Sequence, residues 1–256
     1  MKRGFILNNI KVVNGTRVEY EYQYDLSIKK FFNKKENFFV EYDVDVSNVP
    51  NSILAIPLIA NIAPIAWFVG FDICLEELDD TFYQALIVLR EEFSNFFPKI
   101  KKDAKIQVGK RVENKIIGNE SALLFSGGLD SFESLTRHIK PDPYLVSVWG
   151  ADIEIKDKKK WNDFIQFNKE AEIVNKNKLC YVKSNLRTFY TYELDLLVNL
   201  SWWGKIQHGM ALISLIAPLS HIYKITTIMI ASSNTSEVNF GWGSTSETDE
   251  KVRWAN

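Results

Sequence analysis

ALLFSGGLDSFESL, residues 122–135, places two adjacent glycines and two serines between a short apolar run and a segment with helical spacing. The whole chain has only twelve glycines, so a pair at a strand-to-helix turn answers to a local demand. Glycine takes positive φ at little cost and lets other atoms approach the backbone where a Cβ would stand. Successive free amides followed by the first turn of a helix form a nest for an anion, and serine hydroxyls add donors. Phosphate is the natural guest of Ser126-Gly127-Gly128-Leu129-Asp130-Ser131. No lysine lies between Lys115 and Lys140, so this is not the Walker loop, which needs a lysine on the phosphates.

The rhythm around this stretch indicates the fold. From residue 120 onward, ALLF, YLVSVW, LCYV and ITTIMIAS are short apolar runs separated by the helical stretches SFESLTRHI, WNDFIQFNKEAEIV and KIQHGMALISLIAPL. Strands alternating with helices predict a parallel, doubly wound sheet over residues 116–256. Ligands of such sheets bind beyond the carboxyl ends of the strands.

Residues 1–115 read differently. FILNNIKVV, Asn14-Gly15 and TRVEYEYQY predict a hairpin with a type I′ turn, and FFVEYDVDV alternates like another strand with one wet face. The uncharged stretch 53–71 is nearly long enough to span a bilayer, but its two prolines, Asn61 and Gly70 favour a buried strand pair. Phe82, Leu86, Leu89, Phe93 and Phe97 recur at helical spacing before Pro98, predicting an amphipathic helix over 79–97. The expected organisation is thus α/β: a β-rich N-terminal domain with one long helix, then a nucleotide-binding domain.

Bulk properties exclude several classes. The 256 residues are 46% hydrophobic and 25% charged, as in ordinary globular proteins. A net charge of -1 lacks the basic excess of a nucleic-acid binder. Two cysteines, Cys74 and Cys180, rule out a disulfide framework and suit a reducing cytoplasm. The apolar run after the first residues is too short for a signal peptide.

The SGGLDS loop resembles the pyrophosphate-binding loop of the N-type ATP pyrophosphatases, the PP-loop group of the adenine nucleotide alpha-hydrolase-like superfamily. That group includes asparagine synthetase, GMP synthetase, NAD synthetase and the deazaguanine synthases of queuosine biosynthesis. The resemblance implies an ATP- and Mg²⁺-dependent ligase or amidating enzyme. It would adenylate a carboxylate or amide oxygen, release pyrophosphate and let a nitrogen nucleophile displace AMP. It implies that Ser126, Gly127, Gly128, Leu129, Asp130 and Ser131 hold the phosphates, with Asp130 also the magnesium ligand. Val148, Trp149 and Gly150, at the end of the second strand, would meet the adenine. Ser232 and Ser233 close the last strand at the same edge as further contacts. Lys205 and His208, near the start of a helix aimed there, are the other catalytic candidates, and Asp152 is either a ligand contact or a solvated acid.

Departures from the family narrow the choice. No N-terminal cysteine provides a glutaminase, and no cysteine beyond Cys180 provides the zinc site of the deazaguanine synthases. The chain stops at KVRWAN without the closing helices and late basic motif of such domains, which reads as a partial or unusually short C-terminal part. The acceptor expected is a small molecule or a protein, recognised by the first region; nucleic acid and membrane are not expected, and a homodimer or partner protein is left open. A sulfurtransferase using Cys180 and an ATP-binding module without turnover are the alternatives.

Overall fold

Asn14 and Gly15 both take positive φ, 53° and 75°, as a type I′ turn requires, and join β1 (Gly4–Val13) to β2 (Arg17–Tyr24). The structure, a computed structural model, describes residues 4–101, 103–137, 142–199, 201–231 and 243–255. Val18 and Tyr20 on one face of β2 are buried, and the Tyr20 hydroxyl donates to the Leu54 carbonyl at 2.8 Å. Antiparallel β3 (Phe39–Tyr42) follows, shorter than the alternation predicted. Its acids end it: Asp43 accepts from the Tyr181 amide at 2.7 Å and Asp45 from the Ser47 amide at 2.8 Å, so both cap backbone instead of forming a wet strand face.

The stretch 53–71 corrects the sequence reading. It forms two helices, α1 (Asn51–Leu54) and α2 (Ile56–Val69), not a strand pair. Pro57 lies in the first turn of α2, where a missing amide costs nothing. Gly70 ends the helix at φ 86°, its amide donating to the Ala66 carbonyl at 2.8 Å. Residues 56 to 68 are all buried, so α2 is apolar all round because it is covered all round. Each fully buried leucine, isoleucine or phenylalanine contributes about 1.5–3 kcal/mol. Among the described residues no helix is long and apolar enough to cross a membrane.

Strand β4 (Asp72–Asp79) leads into α3 (Asp80–Phe96), matching the helix expected over 79–97. Asp79 caps it, accepting from the Phe82 amide at 2.8 Å, while Phe82, Leu86, Leu89 and Phe93 are buried. Strand β5 (Ile106–Val112) then pairs parallel to β4, and β4 pairs parallel to β1. The first region is therefore antiparallel only across β1, β2 and β3.

The second region alternates as its sequence predicts. Strand β6 (Glu120–Leu124) is followed by α4 (Leu129–Arg137), β7 (Tyr144–Trp149), α5 (Lys158–Glu170), α6 (Glu172–Asn175) and β8 (Lys178–Ser184). A π-helical turn over Trp203–Gln207, α7 (His208–Ser214), α8 (Ala217–Tyr223), β9 (Ile225–Ile230) and the short α9 (Ser246–Asp249) complete it. The nine strands of the described residues belong to one sheet, in the order β5-β4-β1-β2-β3-β8-β7-β6-β9. The four strands β8-β7-β6-β9 run mutually parallel, and the antiparallel pair β3–β8 joins them to the rest. Alternate side chains of β6 feed two cores: Ala122 and Leu124 join the large one shared with α2 and α7, while Leu123 packs with Phe125, Leu135, Leu145 and Val174 on the opposite face. The protein is thus α/β, with a mostly parallel sheet between helices.

Candidate functional site

The loop after β6 turns where its glycines allow. The Phe125 amide still bonds the Val146 carbonyl at 2.9 Å, Ser126 is exposed, and Gly127 takes φ 76°. The Gly128 amide donates to Ser126 Oγ at 3.3 Å, and the Gly128 carbonyl accepts from the Phe132 amide at 3.1 Å as α4 begins. Ser131 is buried, and its hydroxyl donates to the same carbonyl at 2.7 Å. The first four amides of a helix lack intrahelical partners, so the first turn of α4 presents donors beside the loop. Asp130 sits on that turn, exposed, with no hydrogen bond or ion pair among the described residues.

Ser126 also lines a cleft, open to solvent, at the carboxyl ends of β6, β7 and β9. Its walls include Val148 and Ile230 from the strands, Trp161 and Phe164 from α5, and His208 from α7, with Asp152 at its edge. Of the residues expected to form a site, Ser126, Val148, His208 and Asp152 therefore share one space. Leu129, Asp130 and Ser131 lie on the first turn of α4, outside the cleft wall.

Two expected contacts face elsewhere. Trp149 donates from Nε1 to the Glu154 carbonyl at 3.0 Å and stacks on Trp161, centroids 5.4 Å apart and planes 6° apart. Gly150 makes a tight turn at φ 114°, its amide donating to the Ile153 carbonyl at 2.9 Å, and a Cβ there would lie 1.9 Å from the Ser184 carbonyl oxygen. Its glycine is demanded by the backbone alone. Lys205 also points away from the cleft: Nζ donates to the carbonyls of Val198 at 2.9 Å and Asn199 at 3.1 Å. Ser232, Ser233 and the Gly241-Trp242 pair lie outside the described residues.

His208 is half-buried, edge-on to Trp203 with centroids 5.2 Å apart, and its Nδ1 has no hydrogen-bond partner among the described residues. Burial holds its pKa below the ordinary imidazole value; the nearby Asp152 carboxylate pulls it up and the Arg187 guanidinium pushes it down. The imidazole at the cleft is therefore neutral near pH 7, able to accept a proton.

Three residues of interest carried no functional signal in the sequence. Trp161 and Phe164 read only as the apolar face of a helix, which is what aromatic residues at that spacing usually form. Asp249 lies forty residues beyond Gly209 in sequence, yet its Oδ1 lies 2.0 Å from where a Cβ on Gly209 would stand, so only glycine fits beside His208. Asp249 accepts from the Ser244 hydroxyl at 2.6 Å through Oδ2, while Oδ1 is buried with no hydrogen-bond partner among the described residues, and burial raises its pKa to about 7. The Gly243 carbonyl accepts from the Gly209 amide at 2.7 Å, docking this segment on the start of α7.

No group of three histidine, cysteine, aspartate or glutamate side chains suited to a metal occurs among the described residues. Comparison with protein-family models, curated proteins and solved structures gives no match to this chain.

Proposed function

We propose that the protein is an ATP-dependent ligase or amidating enzyme, forming AMP and pyrophosphate, with a doubly wound nucleotide-binding half of the adenine nucleotide alpha-hydrolase-like type. The observation that carries this reading is the SGGLDS loop, turning from a parallel strand into a helix at the mouth of a cleft. The position of the cleft supports it. Successive strands move from β6 out to β7 and β8, and the chain then returns to add β9 on the other side of β6. Ligands of open α/β sheets bind at such a reversal, beyond the carboxyl ends of the strands.

In this reading the loop amides and Ser126 bind the β- and γ-phosphates, and the adenosine enters the cleft along Val148. The acceptor oxygen attacks the α-phosphorus, the bond to the β-phosphate oxygen breaks, and pyrophosphate remains in the amide nest, whose preset donors meet the charge that develops there. The nitrogen nucleophile then attacks the acyl or imidoyl carbon and expels AMP, with neutral His208 placed to take its proton. Magnesium is commonly held by one or two carboxylates together with substrate phosphates, which fits the exposed, unpaired Asp130 beside the nest. When bound, the ion neutralises charge on the leaving pyrophosphate. Lys205 has no part in these steps, since its ammonium is engaged with two carbonyls. The acceptor, small molecule or protein, and a cytoplasmic setting belong to the same proposal.

Cys180 does not favour a sulfurtransferase. It is 2% exposed in the large core, and burial pushes its thiol up to about 12, so no thiolate forms at neutral pH. The deciding experiment incubates the protein with ATP, Mg²⁺ and a panel of carboxylic acids and amides, and separates AMP plus pyrophosphate from ADP plus phosphate. AMP release that vanishes in Asp130→Ala supports the ligase reading. ATP binding without turnover for every acceptor points to a binding module instead.

A further inference from the structure

A ring from outside the loop lies against Gly127. A Cβ on Gly127 would lie 2.7 Å from Cε2 of Phe164, so the ring edge of α5 occupies the space a side chain would fill. Phe164 is itself held from behind. Its ring packs against Trp161 at 5.5 Å, and Trp161 stacks on Trp149 and meets Tyr181 edge-on at 5.8 Å. Trp149 is pinned by its bond to Glu154 and by the Lys183 ammonium 5.0 Å from its ring centre. Three aromatic rings in sequence thus run from a hydrogen-bonded anchor to the Cα of a left-handed glycine.

We propose that Phe164 is a positioning residue for the phosphate loop: its ring, backed by Trp161 and Trp149, fixes Gly127 and so sets the direction in which the 127 and 128 amides point. This rests on the loop binding phosphate, as proposed above. Glycine alone samples both signs of φ freely, so a loop containing two of them loses entropy on binding unless something orders it first. A rigid ring against Gly127 supplies that order before the ligand arrives. The ring also lines the cleft that Ser126 borders.

The test uses inorganic pyrophosphate with Mg²⁺ as the probe, by calorimetry, on the full chain. Phe164→Ala is expected to weaken binding at least tenfold, and Phe164→Leu, which keeps much of the apolar bulk, to recover part of the loss. Gly127→Ala weakens binding in the parent but costs less in the Phe164→Ala background, because the atom it strikes is gone; the two losses are then non-additive. Labelling with ¹⁵N-glycine gives a spectrum of twelve glycines, in which the Gly127 signal of ligand-free Phe164→Ala is expected to broaden or shift. Near-ultraviolet circular dichroism of the stacked tryptophans verifies that α5 stays in place. Parent-like affinity in Phe164→Ala, additive losses, or an unchanged Gly127 signal overturns the role of Phe164 alone. A parent protein that does not bind pyrophosphate overturns the nucleotide reading, and this inference with it.

Discussion

The buried hydroxyl of Ser184 in β8 donates to the carbonyl of Phe39 in β3 at 2.7 Å, across the seam where these two strands join the first and second regions. Next to it, Asn185 accepts from the Phe39 amide at 3.0 Å and donates to the Asn37 carbonyl at 2.9 Å. Asn185→Ala leaves a buried amide and a carbonyl unpaired, at about 1–3 kcal/mol each. A lower urea midpoint with an unchanged slope is the expected result; an unchanged midpoint would show that the seam contributes little.

Asp130 is exposed and has no hydrogen bond or ion pair among the described residues, so Asp130→Asn is expected to alter stability by no more than about 0.5 kcal/mol. If it holds the metal against the leaving pyrophosphate, AMP formation falls by about 10²–10³. Thermal melting and AMP release, measured on the same sample, separate the two effects.

Gly150 has the opposite profile. Its Cβ would be driven into the Ser184 carbonyl oxygen, and φ 114° is hostile to any side chain. Gly150→Ala is expected to cost about 3 kcal/mol or more, from strain and backbone displacement. Denaturant unfolding checks it, and a near-neutral result would mean that the turn relaxes readily.

Asp249 makes stability depend on pH in a defined direction. Its carboxyl ionises near 3.8 in the unfolded chain and near 7 when folded, so between these values unfolding releases a proton. Its contribution is greatest below about 3.8, falls as the pH rises towards 7, and is level above that. Asp249→Asn removes this titration and is expected to flatten the profile relative to the parent over that window. Parallel profiles for the two proteins would contradict a raised carboxyl.

The second half of the fold was legible because each strand was a short apolar run and each helix had a face, and because a strand-to-helix turn at positive φ calls for glycine. Residues 53–71 were not legible. A buried helix covered on all sides has no polar face, so its periodicity vanishes, and Pro57 marks a helix start as readily as a strand break. Strand β4 passed unread because DICLEELD mixes acids with apolar residues on a strand buried by α3 and α2. In the site, Ser126, Val148 and His208 line one cleft. Trp149 and Lys205 do not, since a side chain at the correct end of a strand or helix still chooses between the cleft and its own backbone neighbours. Trp161 and Phe164 were hidden by chemistry they share with every core.

The β3–β8 seam also decides how the acceptor question can be asked. Cutting the chain at residue 115 would strip β3 from β8 and bare an unpaired edge on each fragment, an invitation to self-association. Neither piece could then report faithfully on ligand preference. The strands before residue 116 share one sheet with the half that carries the cleft, so the part proposed for them in acceptor recognition has to be tested by surface substitutions within an undivided chain.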